Sequence, residues 1–239
     1  MNLKYTFLLP ARNEERSLPY CIEEIETFIK KNKLEAEILV IDNNSTDNTS
    51  KIAKDYGARV IFCENIGYGN ALNYGMERAL GKYCIMGDSD GSYNFSNLEK
   101  FIYYLKKDYD LIVGNRFKGK IEKGAMPFSH RIGGRMLSII GNIFFHTKIK
   151  DYHCGLRAFK TDSIKKLKLK SSGMEFASEM IISSRLNNLK IIEVETDLRK
   201  DLRDRKSHLK TIRDGIRHLK LIFDMAFNRE KYIIPEEKI

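Results

Sequence analysis

The chain has 239 residues, 42% of them hydrophobic, which suits one large α/β domain or two small ones and argues against a disordered chain. A formal charge of +10 points to polyanionic partners such as nucleotide phosphates, nucleic acid or an anionic membrane surface. Four scattered cysteines without a Cys-x-x-Cys pair and five histidines without ligand spacing argue against a compact disulfide framework and against zinc, and no apolar run approaches the length needed to span a bilayer.

The first strand is predicted over Leu3 to Leu9, too short and too polar at Lys4 and Thr6 for a signal peptide. It is closed by Pro10-Ala11-Arg12-Asn13-Glu14-Glu15, after which Leu18, Ile22, Ile25 and Ile29 recur at helical spacing. The unit repeats: Ile38 to Ile41 is a second strand, Asp42 to Asp47 a polar loop, and a short helix runs to Gly57. Val60 to Phe62 gives a third strand, Asn65 to Asn70 a Gly-rich loop and Ala71 to Leu80 a third helix. Tyr83 to Met86 is the fourth strand, and it stops at Asp88-Ser89-Asp90. Residues two apart in an extended chain point the same way, so both carboxylates can face one hard cation such as Mg2+.

Ser96-Asn97-Leu98-Glu99 is a capping box opening a helix through Leu105, followed by a strand at Leu111 to Val113. The alternation implies a mainly parallel, Rossmann-like sheet flanked by helices, with the polar loops gathered on one edge. Beyond a basic loop, Met136, Ile139, Ile140, Ile143 and Phe144 mark an amphipathic helix whose start carries Arg131 and Arg135 on one face, as a phosphate clamp or a solvated pair. A turn at Cys154-Gly155 leads into a strand through Phe159, and Thr161 to Leu167 is a short helix. Gly173 to Leu186 is a helix with Glu175 and Glu179 on a shared face, where a surface pair is the commoner arrangement; Ile191 to Leu198 is a late strand. Arg199 to Lys220 holds nine Lys or Arg against three Asp, and Leu209, Ile212, Ile216, Leu219 and Phe223 form an apolar stripe that can dock on the domain, on a membrane interface, or on both.

Taken in order, Pro10 to Glu15, Val40 to Asp47, Asn65 to Ala71 and Gly87 to Asp90 resemble the successive motifs of family 2 glycosyltransferases. Val113 to Phe117, Cys154 to Phe159, Gly173 to Glu179 and Arg203 to Leu209 resemble the polyprenyl-phosphate branch typified by dolichol-phosphate mannose synthase. The resemblance implies a GT-A fold over residues 1–207, with 208–239 as a basic amphipathic helix and tail. It implies inverting transfer of a sugar from a UDP- or GDP-sugar to a dolichyl or undecaprenyl phosphate at the cytoplasmic face of a membrane, with no nucleic acid involved and a homo-oligomer as an option. Pro10, Ala11, Asn13, Glu14, Asp42, Asn44, Gly69, Asp88 and Ser89 are then the donor-binding residues, and Asp88 and Asp90 the ligands of Mg2+ or Mn2+. Arg116, Arg131, Arg135 and Arg203 are the candidates for gripping phosphates, and Asp90, Arg116 and Glu179 for catalysis, with Asp151 behind Glu179 as base.

The chain departs from that pattern in three places. Ser92 stands where the mannose synthases carry Gln, Asp204 where many relatives have Gly, and the sequence ends at Ile239 where many continue into membrane helices, so the protein is expected to be peripheral or the sequence truncated. Two other readings stay open at this stage: a family 2 transferase acting on a polysaccharide or glycolipid hydroxyl, and a non-catalytic basic module that binds membrane or nucleic acid.

Overall fold

A computed structural model describes residues 3–203 and 211–235. Seven strands, β1 (Tyr5–Ala11), β2 (Ala36–Asp42), β3 (Arg59–Phe62), β4 (Tyr83–Met86), β5 (Leu111–Asn115), β6 (Arg157–Lys160) and β7 (Ile191–Glu195), form one sheet in the order β3-β2-β1-β4-β6-β5-β7. The helices are α1 (Leu18–Asn32), α2 (Thr49–Asp55), α3 (Tyr68–Arg78), α4 (Glu99–Lys106), α5 (Phe128–Phe145), α6 (Thr161–Lys166), α7 (Phe176–Leu186) and α8 (Thr211–Phe227).

The central strands are near-continuous apolar runs, as expected where both faces of a sheet are covered. Side chains alternate across β1: Phe7 and Leu9 enter the core beneath α1 and α4, while Leu8 enters the core shared with α3 and α7. In α1, Leu18, Cys21, Ile22, Ile25 and Phe28 turn inward at three- and four-residue spacing. The helix stops at Lys33, whose left-handed backbone lets its N–H reach the carbonyls of Ile29 and Lys30.

The sheet is mixed. β1 pairs in parallel with β2 and β4, and β5 with β7, but β6 runs antiparallel between β4 and β5. Strand order reverses between β1 and β4, since the chain steps outward through β2 and β3 and then returns to the other side of β1. The crevice beyond the carboxyl ends of those two strands is the switch point where open α/β sheets bind ligands. It holds Pro10 and Ala11 on one side and Asp88 and Asp90 on the other, tied by a bond from Ser89 Oγ to the Pro10 carbonyl (2.7 Å).

The predicted capping box is not formed. Helix α4 begins at Glu99 with Leu98 at its N-cap and no side-chain cap, because Ser96 N donates to Asn94 Oδ1 and Glu99 reaches Lys31 instead. The strand expected to Leu198 ends at Glu195, although Leu198 still bridges to Ile121. α8 packs on α5 and α7. Ile222 and Met225 are wholly buried in the core and Asp214 and His218 are buried as well, whereas Ile212, Ile216 and Phe223 of the predicted stripe are exposed. Leu209 lies outside the described residues, as does the 207/208 boundary.

Candidate active site

The loops at the crevice are stitched to one another before they meet any ligand. Asn13, held at φ 57°, accepts Thr46 N with its Oδ1 (2.7 Å), while Glu14 N donates to Thr49 Oγ1 (2.8 Å). Asp42 accepts Ser45 N (2.8 Å) and the Ser50 hydroxyl, so both its oxygens shape its own loop. Its neighbour Asn43 donates to the Asn65 carbonyl (2.8 Å) and accepts Gly67 N (2.8 Å), clamping the second loop to the third. Asn44 is an exposed turn residue with φ 65°. Gly69 serves packing: a Cβ there would lie 2.1 Å from the Ser171 carbonyl oxygen, so glycine lets α3 approach that backbone.

Asp88 and Asp90 face a cleft of about 550 Å³. Asp88 Oδ1 accepts the Tyr68 hydroxyl (3.0 Å), and its carboxylate lies against Gly155, where a Cβ would come within 2.5 Å of Oδ2. Burial, then the neighbouring Asp90 charge, pushes the Asp88 carboxyl up to about 6, against the pull of the Tyr68 bond, Arg203 and Arg116. Asp90 Oδ1 accepts Ser92 N (3.0 Å), while its Oδ2 pairs with Arg203 Nη2 at 2.8 Å. Arg203 also reaches Asp201 (3.1 Å) and Glu14 (3.9 Å), which places a guanidinium on the outer carboxylate of the pair. Among the described residues no cluster of three metal-binding side chains occurs, and Asp88 and Asp90 share the lining of this cleft with Glu14 and Asp214. Two carboxylates with a polar space beside them suit a hard cation that keeps water and substrate phosphates as its other ligands.

Arg116 is held by Asp151 through a bidentate fork, Nε to Oδ2 at 2.7 Å and Nη2 to Oδ1 at 2.8 Å, and by its own backbone N–H (3.1 Å). Asp151 is thereby saturated, and no lone pair is directed at the cleft as a base would require. Glu179 is likewise turned away: its two oxygens accept Lys170 N (2.9 Å) and Ser171 N (2.7 Å). Nor are Glu175 and Glu179 a surface pair, since both are buried and Glu175 is bound by Arg217 (2.5 Å). Arg131 and Arg135 are exposed on α5, and the Arg135 guanidinium stacks over Phe117 at 4.4 Å, away from the cleft.

Of the predicted residues, Pro10, Ala11, Glu14, Asp88, Ser89 and Asp90 therefore line one cleft, joined by Arg116 and Arg203. Tyr68, His153, Asp214 and Arg217 line it as well, although the sequence reading assigned none of them a role in the site. The positions of Tyr68 within the Gly-rich loop and of His153 next to Cys154-Gly155 were the available signals. A second, more apolar groove of about 620 Å³ opens from the same junction and shares Asp88, Asp90, Arg116, His153 and Arg203 with the cleft. It runs between Met136, Leu137 and Ile140 of α5, Leu219 of α8 and the loop at Met126.

Residues 6–168 match the family described as glycosyl transferase family 2. The chain is 35% identical over 217 residues to a low-salt glycan biosynthesis hexosyltransferase, Agl6, of Haloferax volcanii, covering 90% of this chain and 52% of that protein, so it spans about half of that relative's length. It is 28% identical to a dolichyl-phosphate beta-glucosyltransferase of Trichomonas vaginalis, over 80% of this chain and 64% of that one. In fold it resembles glucosyl-3-phosphoglycerate synthase of Mycobacterium tuberculosis, solved with Mn2+, UDP and glucosyl-3-phosphoglycerate, at a TM-score of 0.75 and 19% identity, covering 98% of this chain and 82% of that one. The sheet is thus of the GT-A type. Because the matched stretch runs from Thr6 in β1 through β6 and takes in both aspartates at the switch point, the chain belongs to glycosyl transferase family 2.

Proposed function

We propose that the chain moves a hexose from a nucleoside-diphosphate sugar to a polyprenyl phosphate, with inversion, at an anionic membrane surface. The observation that carries this reading is the junction of a polar cleft with an apolar groove at Asp88, Asp90, Arg116 and Arg203. A diphosphate fits the cleft beside Pro10 and Glu14, a prenyl tail fits the groove, and an acceptor phosphate fits the arginines between them. Guanidinium forks bind phosphate oxygens in two-point fashion, and Arg116 is already aligned by Asp151. The relative named as a dolichyl-phosphate glucosyltransferase supports the same acceptor class.

An acceptor phosphate is an anion at neutral pH, so its oxygen can attack the anomeric carbon with little help from a base. The bond from that carbon to the diphosphate breaks as the new one forms, and the nucleoside diphosphate leaves with the negative charge. Asp88 and Asp90 would hold Mg2+ or Mn2+, which neutralises the charge developing on the leaving group. The engagement of Asp151 by Arg116, and of Glu179 by the Lys170 and Ser171 amides, is consistent with a reaction that needs no positioned carboxylate base.

Membrane contact is supported by the outer faces of α5 and α8. Phe128, Ile132, Met136, Ile139 and Ile143 are exposed on the first, and Ile212, Ile216, Phe223 and Phe227 on the second. Arg131, Arg135, Arg213 and Lys220 are exposed on the same helices, the composition that draws an interfacial helix to anionic lipid. Among the described residues no helix is long and apolar enough to cross a membrane. The reading is tested by following nucleoside diphosphate release from UDP- and GDP-sugars with Mn2+. Release that rises only when polyprenyl phosphate in anionic vesicles is added supports it, and release driven equally by a sugar hydroxyl acceptor removes the lipid part.

A further inference from the structure

His153 lines both the polar cleft and the apolar groove, beside Asp88, Asp90 and Arg116. Both of its ring nitrogens are shut off from solvent and neither has a hydrogen-bond partner among the described residues. A buried polar side chain is normally satisfied by the fold around it, so an imidazole with two open nitrogens at a ligand cleft points to a partner that arrives with the ligand.

The ring is also held in place from the other side. His153 N donates to Asp151 Oδ1 (3.2 Å), the carboxylate that aligns Arg116. The ring packs edge-on against His218 at 4.4 Å and 70°, and His218 Nδ1 in turn shares a hydrogen bond with Ser178 Oγ (2.8 Å). Burial, with the Arg116 and Arg157 charges nearby, holds the His153 imidazole well below its usual range and keeps it uncharged. A neutral imidazole presents one N–H and one lone pair.

The chemistry of the junction narrows the choice of partner. Phosphate oxygens are served by Arg116 and Arg203, whose guanidinium groups only donate, and a lipid tail offers no polar atom. The transferred sugar must lie where leaving diphosphate and attacking acceptor meet, and its hydroxyls both donate and accept. We propose that His153 hydrogen-bonds a hydroxyl of the transferred sugar and thereby selects which hexose the enzyme accepts. The inference rests on glycosyl transfer, which family membership provides, and is independent of the lipid nature of the acceptor.

The test compares the wild-type chain with His153→Phe, which keeps a ring without nitrogens, and His153→Gln, which restores a neutral donor and acceptor. Affinities are measured by titration calorimetry with Mn2+ for UDP-glucose, UDP-galactose and GDP-mannose, and for UDP and GDP alone. For the donor that the wild type binds most tightly, His153→Phe is expected to weaken the nucleotide sugar about tenfold, the worth of one or two neutral hydrogen bonds. The free nucleotide should stay within twofold, the ratio between the hexoses should move toward one, and His153→Gln should recover a good part of both. His153→Ala replaces the Phe variant if packing against His218 is disturbed. Unchanged affinity and selectivity in a folded variant, or an equal loss for nucleotide and nucleotide sugar, overturns the proposal. Failure of the polyprenyl-phosphate reading would show only in the acceptor assay and would leave this comparison intact.

Discussion

Asp151 accepts the backbone, Nε and Nη2 hydrogens of Arg116 and the backbone N–H of His153, all in a pocket where it is almost wholly buried. Neutralising it as Asp151→Asn leaves the Arg116 charge without its fork, and breaking a buried pair from one side costs about 3 kcal/mol or more. An unfolding free energy from denaturant titration lowered by that amount, with transfer lost as well, is the expected result. Asp90→Asn should behave differently: transfer falls at least a hundredfold while the melting temperature barely moves, since Arg203 keeps Asp201 and Glu14. These two aspartates also mark what single residues reveal. The motifs located Asp88, Asp90, Arg116 and Arg203 because their side chains point into the cleft. The same motifs named Asp42, whose side chain bonds within its own loop, and Asn13 and Glu179, whose side chains bond backbone amides of other segments. A motif identifies the loop, but which way a carboxylate turns depends on backbone donors that lie far away in sequence, such as Thr46 for Asn13.

At the scale of elements, α8 shows how an amphipathic pattern can be legible and still leave its orientation open. Its apolar stripe through Ile212, Ile216 and Phe223 faces outward, while the inward face carries Asp214, His218, Ile222 and Met225. Two of those four are polar because that face borders the cleft and groove as well as the core. The outward aromatic group is continuous with α5: Phe144 contacts Phe223 at 5.7 Å and Phe227 at 6.3 Å between ring centroids. Replacing Phe223 and Phe227 together by Asp should reduce sedimentation with anionic vesicles severalfold and leave nucleotide binding intact, because neither residue lines the cleft. Equal vesicle binding by that variant would remove α8 from the membrane contact. The short helices and strands were read to within a few residues from periodicity and turn residues. The direction of β6 was not, because strand polarity is set by the path of the chain from β5 and not by any local pattern.

For the whole molecule, the charges buried at the site make stability depend on pH in two opposing ways. Burial holds His218 down to about 4, so its imidazole is neutral in the fold and must charge on acidification. The unfolded chain takes up that proton near pH 6.5, so the stability His218 provides is full above that pH and is lost as pH falls toward 4, on the order of 3 kcal/mol. His153 shifts in the same direction. Asp88 has the opposite sign: with its carboxyl pushed up to about 6, ionising it costs stability as pH rises from the ordinary carboxylate range through 6. A divalent cation at Asp88 and Asp90 would remove that cost only above about pH 6. Thermal unfolding should therefore respond to Mn2+ strongly at pH 8 and weakly at pH 5, whereas His218→Gln should flatten the acid-side loss between pH 6.5 and 4. An Mn2+ response independent of pH would count against Asp88 as a ligand.

The most direct test of the polyprenyl-phosphate reading sets two acceptors side by side in the same anionic vesicles: a polyprenyl phosphate and the corresponding free polyprenol. With a radiolabelled nucleotide sugar and Mn2+, the label should pass into the lipid phase with the phosphate, and the product should release its sugar on mild acid. The polyprenol should give no transfer, and Asp90→Asn should give none with either. Label carried equally well by the free alcohol, or by neither lipid while a sugar hydroxyl is glycosylated, would contradict the assignment of Arg116 and Arg203 to an acceptor phosphate.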